Sequence, residues 1–560
     1  MKNRSISLRE LLAGHADLDT GAGAIVVSGL AIDSREVREG DAFVALEGSR
    51  ERGITFAPMA LARGAVAVLA ERPDEATTPA PASLDKVAEG HAFVPSPALR
   101  EKVAEGRMRS KPPQAAEGKA GSRPESAPWM DARSDAPAIW IDNLREKLGS
   151  IASRFFGDPS RSMTVVGVTG TNGKTSTVHL LAQALHHAGH AVATIGTLGA
   201  GFVGAVAEGA RTTPDAIAVQ GLLATFRDEG ATHVAMEVSS HALDQGRVNA
   251  VAFDLAVFTN LTRDHLDYHG TMQAYGAAKE RLFAWPGLDA AIINVDDPFG
   301  RALASRIAAA GTKDGAVRNA SANAPVLIRY GVDRDDADVV ASAIETTTQG
   351  LRFHLKTQWG EGDVSTRLLG RFNVSNLLAV VACLGCLGFA FDAIQTALAK
   401  LDPVAGRMNR IGGEALPLVV VDYAHTPDAI EQALTSLRGH THGRLICVFG
   451  CGGERDAGKR PEMGRIAEAL ADVVIVTDDN PRGEDGDAII AGIVGGLANP
   501  ERATIERDRR KAIALAIGAA RAGDIVLIAG KGHEPYQEIG GVRHPFDDLA
   551  VARDVLGAPA

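Results

Sequence analysis

The stretch MTVVGVTGTNGKTST, residues 163–177, decides how the chain folds. Residues 163–168 are almost continuously apolar and β-favouring, which predicts a buried parallel strand. A turn with glycines at positions 170 and 173 follows, and Lys174-Thr175 leads into a helical pattern over residues 178–187. This order is typical of a phosphate-binding loop, because backbone N–H groups and the helix N-terminus receive phosphate oxygens. In such a loop the lysine reaches an outer phosphate and a threonine hydroxyl binds Mg²⁺.

The match to the strict phosphate-loop pattern is incomplete, since Val168 stands where the pattern requires a glycine. The alternative is a chance glycine turn followed by an exposed lysine. The strand before the turn and the helix after it favour the phosphate loop. The predicted nucleotide-binding residues of this loop are Gly170, Thr171, Asn172, Gly173, Lys174, Thr175 and Ser176.

The composition of the 560-residue chain is that of a globular protein of about three domains. A net charge of −11 without a basic stripe argues against nucleic-acid binding. Four cysteines do not make a disulfide framework in so long a chain, so we expect a reducing, cytoplasmic location. The N-terminus lacks the apolar core of a signal peptide. Residues 377–391 are apolar but broken by glycines, which predicts a buried helix containing Cys383 and Cys386 rather than a membrane span.

Alternating strand and helix patterns predict an α/β protein with three domains, at residues 1–157, 158–402 and 403–560. The first is a small mixed α/β domain, opened by a capping box at Ser7 and Glu10. Ten of the chain's 25 prolines fall within residues 71–137, which we interpret as a disordered insertion before a strand at 138–141 and a helix at 144–156. The central domain is a doubly wound, mostly parallel sheet with an antiparallel extension at 325–369. The third is a Rossmann-like domain.

Polar residues crowd the ends of the predicted strands, where ligands bind in open parallel sheets. Glu237 ends one strand, where its carboxylate would face the phosphates and hold Mg²⁺; a helix-capping or solvent-facing Glu is the alternative. The next strand ends in TNLTRDHLDYHG, whose density of polar groups favours a site, although spacing alone supports no metal role for His265. Lys279, on the following helix, would by default be a solvated surface residue. Together these residues indicate an ATP-dependent transfer to an unnamed acceptor.

The chain resembles the Mur ligase family over nearly its whole length, apart from the insertion. The motifs that carry the resemblance occur in the family's order: GTNGKTST, MEVSSHAL, FTNLTRDHLDYHG, GRFNVSN, GRMNR, VVVDYAHTPDA, FGCGGERDAGKRPEMG, TDDNPRGED and AGKGHE. Within the family they are most similar to the members that add 2,6-diaminopimelate. The resemblance implies an ATP- and Mg²⁺-dependent ligase that joins meso-diaminopimelate to the D-Glu γ-carboxylate of UDP-MurNAc-L-Ala-D-Glu through an acyl phosphate. Such an enzyme serves peptidoglycan precursor synthesis, and with it cell shape and division.

The resemblance also implies roles for individual residues. It assigns the UDP portion of the substrate to Ile32, Ser34, Ser49, Arg50 and Glu51. It assigns the muramoyl-dipeptide to Thr212, Thr213, Ser239, Gln245 and Arg247. It places Asn260 and Asn376 near adenine, and Arg407 and Asp422 on the phosphates and ribose. It gives the incoming amino acid to Arg455, Asp479, Asn480, Pro481, Arg482, Gly530 and Glu534. It implies catalytic roles for Lys174, Glu237, His265 and Lys279, metal binding by Thr175, Glu237, His265 and Lys279, and a carbamate on Lys279.

The choice of amino acid depends on Arg482. Diaminopimelate has a second zwitterionic centre whose carboxylate lysine lacks, and Arg482 with Arg455 can pair that carboxylate. We therefore expect meso-diaminopimelate rather than lysine. Folylpolyglutamate synthase is a rival within the same reaction class, and the DNPR and GKGHE loops count against it. A nucleotide-switched regulatory or transport ATPase is a rival from another class, which ATP hydrolysis without any acceptor would favour.

Overall fold

The computed structural model describes residues 4–48, 51–72, 136–207, 209, 211–310, 324–347, 349–413 and 415–557. Most of the predicted insertion at 71–137 lies outside the described residues, as do Ser49 and Arg50. The chain divides into two compact units, Ser7–Leu144 and Arg145–Ala560 with Met1–Ile6. None of the helices in the described ranges is long and apolar enough to cross a membrane.

The smaller unit contains a four-stranded parallel sheet. Its strands follow the order Gly29–Ala31, Asp41–Ala45, Ala67–Glu71 and Ala138–Ile141. Its helices are Leu8–Leu11, Thr20–Ala24 and Ala57–Ala62. The predicted capping box is present at Ser7 and Glu10. The strand expected to resume this domain after the insertion is confirmed, because Ala138–Ile141 pairs with Ala67–Glu71.

The helix Leu144–Phe156 has the predicted bounds, but it packs on the larger unit. Asn249 Nδ2 donates to the carbonyl oxygen of Glu146 at 2.9 Å, and Arg227 Nη1 donates to that of Phe156 at 3.0 Å. For this reason the division between the two units falls at the start of the helix, whereas the sequence placed the domain boundary after it.

The larger unit contains an 11-stranded sheet whose strand order shows the predicted doubly wound topology. From one edge to the other the strands are Ala205–Ala207, Gly199–Phe202, Val192–Gly196, His233–Glu237, Thr164–Thr169, Leu255–Phe258, Ala290–Asn294, Val326–Val332, Val339–Thr347, Gly350–Thr357 and Gly360–Thr366. Thr164–Thr169 lies in the parallel part, between His233–Glu237 and Leu255–Phe258. The three strand ends therefore meet at one edge of the sheet, where chain reversal leaves room for a ligand.

The sheet extension differs in part from the prediction. Val326–Val332 pairs in parallel with Ala290–Asn294 and with Val339–Thr347, and only the pairings after that are antiparallel. The flanking helices are Lys174–His187, Ala216–Asp228, Ser240–Asp244, Leu266–His269, Met272–Glu280, Pro298–Ala310, Phe372–Cys386 and Phe391–Ala399. Phe372–Cys386 includes most of the buried helix predicted at 377–391, but the helix ends at Cys386, and a turn with Gly388 at φ +86° separates it from Phe391–Ala399. Burial raises the pKa of the Cys383 thiol well above its usual value, which agrees with a packing role.

The remaining residues form a second sheet of six strands. Its order is Asn409–Gly412, Leu418–Asp422, Ile525–Ala529, Leu445–Phe449, Val473–Val476 and Thr504–Ile505, and every pairing except the first is parallel. Its helices are Pro427–Arg438, Lys459–Leu470, Gly486–Val494, Arg509–Ala519 and Asp548–Leu556. A hairpin of Tyr536–Ile539 and Val542–Pro545 lies beside the loop that contains Arg482. The four strand ends that the sequence singled out thus belong to one parallel sheet.

Candidate functional site

The loop between Thr164–Thr169 and the helix Lys174–His187 has the conformation that its glycines permit. Gly173 has φ +84°, and a Cβ there would lie 2.6 Å from Asn376 Oδ1; a Cβ at Gly170 would collide with Thr259 Oγ1. No described side chain caps the N-terminus of the helix, so its first-turn N–H groups are available to an anion. The phosphate-loop prediction is supported by this geometry.

Two asparagines that the family resemblance places near adenine support the phosphate loop. Asn260 Oδ1 accepts from Asn172 N at 2.9 Å, and Asn260 Nδ2 donates to Asn172 O at 3.2 Å. Asn376 is buried behind the loop, where its Nδ2 donates to Asn373 Oδ1 at 2.8 Å. Asn260 therefore holds the loop in shape, and Asn376 packs against it at Gly173, two roles that the sequence did not indicate.

Two lysines converge on one carbonyl oxygen of the loop. Lys174 Nζ donates to Gly170 O and Thr171 O, both at 2.9 Å, and Lys279 Nζ donates to Gly170 O at 2.7 Å. Lys279 is only 1% exposed and lies 4.3 Å from the centroid of the Tyr275 ring. The default expectation of a solvated Lys279 is therefore wrong, because its helix packs against the loop.

The electrostatics of the two lysines follow from this burial. Burial lowers the pKa of Lys279 well below its usual value; the neighbouring charge of Lys174 lowers it further, and Asp264 opposes the shift. Burial also lowers the pKa of Lys174, against the attraction of Glu237 and Asp264. Asp264 belongs to the crowded TRDHLDYHG loop, and nothing in the sequence distinguishes it from its neighbours there.

Glu237 is buried at the end of its strand, which excludes the solvent-facing alternative. It is 1% exposed, and its carboxylate accepts from Thr197 N at 2.7 Å and from Thr197 Oγ1 at 3.2 Å. Thr213 Oγ1 donates to the Glu237 carbonyl oxygen at 2.8 Å. The negative charge of Glu237 also opposes the lowering of the Lys174 pKa, so the carboxylate acts electrostatically on the lysine of the phosphate loop.

Residues assigned to the muramoyl-dipeptide lie together beside Glu237. Thr212 Oγ1 lies 3.1 Å from Thr197 Oγ1, and Ser239 N donates to Thr213 Oγ1 at 3.2 Å. Arg247 donates to the carbonyl oxygen of Thr213 at 2.9 Å and through two nitrogens to Gln245 Oε1. The structure therefore brings all five of these residues into one cluster.

The predicted metal ligands are less completely assembled. His265 has a left-handed backbone with φ +52°, is half exposed, and has Nε2 3.4 Å from Asp264 Oδ2. Within the described residues, no group of three or more His, Cys, Asp or Glu side chains is arranged to hold a metal. Mg²⁺ at nucleotide sites is typically held by one or two carboxylates together with phosphate oxygens and water. Buried Glu237 and the Thr175 hydroxyl fit that donor set.

A second group of predicted residues lies between the phosphate loop and the six-stranded sheet. The Arg407 guanidinium lies 4.9 Å from the Tyr423 ring centroid, and its charge influences both Lys174 and Asp422. Asp422 Oδ2 accepts from Met408 N at 2.9 Å, and burial raises the pKa of Asp422. The charge of Arg407 thus acts both on the lysine of the phosphate loop and on Asp422, which agrees with the nucleotide contacts that the resemblance implies for this pair.

His179, one turn into the helix after the loop, is a residue that the sequence did not single out. Burial lowers its pKa to about 4, and the charges of Arg407 and His533 act in the same direction. In the described part of the chain, His179 Nε2 is buried and has no hydrogen-bond partner. An orphaned buried nitrogen beside Arg407 fits a cleft that receives a polar ligand.

The loops assigned to the incoming amino acid meet at the carboxyl edge of the six-stranded sheet. Arg482 Nη1 donates to Gly453 O at 2.8 Å, and Arg482 Nε lies 3.8 Å from Glu538 Oε2. Asn480 Nδ2 donates to Glu534 Oε2 at 2.8 Å. Asp479 approaches Gly530 so closely that a Cβ on the glycine would collide with its carboxylate. Arg455 is exposed on the loop that Arg482 contacts, and Pro481 immediately precedes Arg482.

Two buried cationic side chains lie beneath these loops, and the sequence did not single them out as site residues. Lys531 donates to Asn480 Oδ1 at 3.0 Å and to Glu534 Oε2 at 3.3 Å. Arg509 forms two 2.7 Å bonds to Asp548, and both side chains are 0% exposed. The GKGHE motif contains Lys531, but its burial was not readable from the motif.

The residues assigned to UDP belong to the smaller unit. Ile32 and Ser34 follow the strand Gly29–Ala31, and Glu51 follows the adjacent strand Asp41–Ala45. Ser34 is buried, with Oγ 3.4 Å from Met59 Sδ, whereas Glu51 is exposed. Both segments leave the same edge of the parallel sheet, which is the edge at which ligands bind.

Comparisons with known proteins agree with this arrangement. Three family models match: "Mur ligase family, catalytic domain" at residues 26–156, "Mur ligase middle domain" at 168–384, and "Mur ligase, glutamate ligase domain" at 406–532. A curated relative from Xanthomonas oryzae, named UDP-N-acetylmuramoyl-L-alanyl-D-glutamate–2,6-diaminopimelate ligase, is 52% identical over 95% of this chain and 94% of its own.

Solved structures give the same result. A structure bearing the same enzyme name is 34% identical, covers 99% of both chains and has a TM-score of 0.68. A folylpolyglutamate synthase from Mycobacterium tuberculosis, in complex with ADP, is 18% identical and covers 68% of this chain and 91% of its own, with a TM-score of 0.54. That second likeness concerns the fold alone. Because family models match most of the chain and a relative with half its residues identical spans nearly all of it, the chain belongs to the Mur ligase family.

Proposed function

We propose that the chain is an ATP-dependent acid–amino-acid ligase that adds meso-2,6-diaminopimelate to the γ-carboxylate of D-Glu in UDP-MurNAc-L-Ala-D-Glu. The observation that carries this proposal is the 52% identity, over nearly the full length of both chains, to a relative bearing that enzyme's name. Two observations support it: the uncapped helix N-terminus after the glycine turn suits the phosphates of ATP, and the Asn480–Arg482–Glu534 group offers donors and a carboxylate that suit an amino acid. The reaction belongs to peptidoglycan precursor synthesis in the cytoplasm.

The three predicted domains divide the work in this proposal. Residues 1–157 bind the UDP end of the substrate through Ile32, Ser34, Ser49, Arg50 and Glu51. Residues 158–402 bind ATP and the muramoyl-dipeptide, the latter beside Glu237. Residues 403–560 bind diaminopimelate.

The chemistry begins with the weak electrophilicity of a carboxylate. The γ-carboxylate of D-Glu attacks the γ-phosphorus of ATP, ADP leaves, and an acyl phosphate forms. The amine of diaminopimelate then attacks the acyl carbon, loses a proton, and displaces phosphate. Lys174 follows the phosphate loop and would stabilise the charge of the transferring phosphoryl group. Mg²⁺, held by Thr175 and Glu237 with His265 nearby, would neutralise phosphate charge when bound.

Lys279 is proposed to carry a carbamate. Its nitrogen shares the Gly170 carbonyl oxygen with Lys174, and the helix buries it almost completely. Two ammonium groups at one buried oxygen repel each other, whereas a carbamate would place a negative group beside Lys174 and offer oxygen to Mg²⁺. With ¹³C-bicarbonate, NMR should detect a carbamate resonance that is absent from Lys279→Gln. A fully active wild-type protein without that resonance would exclude the carbamate.

The direct test of the proposed function is ADP release with Mg²⁺, ATP and UDP-MurNAc-L-Ala-D-Glu, comparing meso-diaminopimelate with L-lysine. We expect turnover with diaminopimelate, and about a 100-fold lower kcat/KM for it in Arg482→Ala, the loss of a bidentate charge-assisted pair. Arg510→Ala, which removes an exposed arginine of the same domain, is the matched control and should behave as wild type. Turnover with lysine would keep the ligase but reject the role of Arg482.

Other outcomes of the same assay favour the rivals. ADP release without any amino acid or UDP-sugar would favour a nucleotide-switched ATPase. Turnover with a folate and glutamate in place of the UDP substrate would favour folylpolyglutamate synthase. Either result rejects the proposed function.

A further inference from the structure

Lys531 joins the two loops of the amino-acid site from within. Its side chain is 0% exposed, and its ammonium group donates to Asn480 Oδ1 at 3.0 Å and to Glu534 Oε2 at 3.3 Å. The ammonium nitrogen also lies 5.4 Å from the centroid of the Tyr536 ring. A fully buried lysine is rare unless its charge is paired, so its place in this network needs an explanation.

The network fixes the orientation of the Asn480 side chain. Lysine is a donor only, so the amide must turn its oxygen toward Lys531. The same oxygen accepts from Glu538 N at 2.9 Å, and the amide nitrogen then faces Glu534, to which it donates at 2.8 Å. A reversed amide would point its NH₂ group at two donors and lose all three bonds.

The consequence falls on Glu534. Its Oε2 receives both Asn480 Nδ2 and Lys531 Nζ, whereas Oε1 makes no hydrogen bond with any residue that the structure describes. The side chain remains 20% exposed, and Oε1 is the oxygen whose hydrogen-bonding capacity the described residues leave unused. In the proposed function, Arg482 binds the distal carboxylate of diaminopimelate. Glu534 Oε1, beside the loop that contains Arg482, has the charge to pair with the ammonium group on the same carbon.

Resting on the proposed function, we infer that Lys531 is a positioning residue of the amino-acid site, which holds Asn480 and one oxygen of Glu534 so that Glu534 Oε1 receives the distal ammonium group of diaminopimelate. Lys531 itself touches no substrate. It decides whether the distal centre is recognised as a zwitterion or only through its carboxylate.

The test compares meso-diaminopimelate with 2-aminopimelate, which retains the distal carboxylate but lacks the distal amine. In the wild type we expect KM for 2-aminopimelate to exceed KM for diaminopimelate by about 30-fold, the worth of one charge-assisted bond. In Lys531→Met that ratio should fall to about threefold or less. KM for ATP and KM for the UDP substrate should both stay within about twofold of the wild-type values, because Lys531 contacts neither of those sites. Lys511→Met removes an exposed lysine of the same domain and should leave the ratio unchanged.

The ratio separates positioning from a general structural role. If Lys531 only stabilised the fold, both KM values would rise in parallel and their ratio would persist, which would overturn the inference. If Lys531→Met does not fold, Lys531→Gln is the second variant; its side chain is shorter and carries no charge to pair with Glu534, so it should also reduce the ratio, and an undiminished ratio in that folded variant overturns the inference. A wild-type protein that turns over neither amino acid refutes the proposed function, whereas wild-type turnover without discrimination refutes only this inference.

Discussion

Removal of Asp548 should open the part of the six-stranded sheet that holds the amino-acid loops. Arg509 and Asp548 are both 0% exposed and form two 2.7 Å hydrogen bonds. Arg509 also donates to the carbonyl oxygens of Ala529 at 3.0 Å and Asp478 at 3.4 Å, which precede Gly530 and Asp479. The pair therefore connects two helices to both amino-acid loops.

The magnitude follows from leaving a buried charge unpaired. Asp548→Ala strands the Arg509 guanidinium without a counter-charge, which costs about 3–5 kcal/mol. The double variant Arg509→Met/Asp548→Leu removes both charges and fills the space, so its loss should be at most about 1–2 kcal/mol. The single variant should thus lose more stability than the double variant. The reason is that an unpaired buried charge costs more free energy than the loss of the ion pair itself.

Hydrogen exchange read by mass spectrometry is the suitable assay. None of the four tryptophans lies beyond Trp359, so intrinsic tryptophan fluorescence would not report on this domain. A loss of about 4 kcal/mol corresponds to about a 1000-fold faster exchange of the most protected amides in Ile525–Ala529. Asp554→Ala, which removes an exposed carboxylate of the same helix, is the control and should not change exchange there. Exchange within fivefold of the wild type in Asp548→Ala, or a double variant as damaged as the single one, would refute the reasoning.

Three further predictions concern the phosphate loop, the contact between the sheets and the metal. Gly173→Ala should raise KM for ATP about tenfold or more, since φ +84° and Asn376 leave no room for a Cβ; Gly189→Ala, with φ +91° and open space, is the control. Burial lowers the pKa of His440, whose neutral ring accepts a hydrogen bond from Gly370 N. The stability that this contact contributes is fully present above pH 6.5, the ordinary histidine value, and is lost as the pH falls from there toward the lowered pKa of the folded state. Melting temperature should fall with acidity in that range, and less so in His440→Leu. Removing divalent cations with EDTA should abolish ADP release, and added Mg²⁺ should restore it, without a change in melting temperature.

Much of the fold was predictable because its signals are local. The strand, glycine turn and helix at residues 163–187 follow from neighbouring side chains, and helix Leu144–Phe156 and strands Ala138–Ile141 and Leu445–Phe449 have the predicted bounds. The prediction of antiparallel strands over residues 325–369 was only partly right, since Val326–Val332 pairs in parallel with Val339–Thr347. Alternating apolar residues show that one face of a strand is buried, but they do not show the direction of the neighbouring strand.

The candidate site was predictable as a set of strand ends and less so as a set of contacts. Motifs singled out Lys174, Glu237 and Arg482, which lie at the expected edges of their sheets. They gave no sign that Asn260 and Asn376 brace the phosphate loop, or that Asp264 is the carboxylate near both lysines. Most of these relations depend on tertiary structure: 88 positions separate Asn172 from Asn260 and 199 separate Thr177 from Asn376, so nothing in their own neighbourhoods along the chain records them.

The sequence by itself determined the parallel α/β architecture, the phosphate loop and the family, since these depend on short-range patterns and on motifs in a fixed order. The tertiary structure alone decided which polar groups are buried. Lys279, Lys531 and Arg509 are charged residues that the sequence gives no reason to bury, yet all three are almost wholly buried and take their roles from partners far away along the chain. The reason is that the cost of burying a charge, and hence its chemistry, depends on what surrounds it in space.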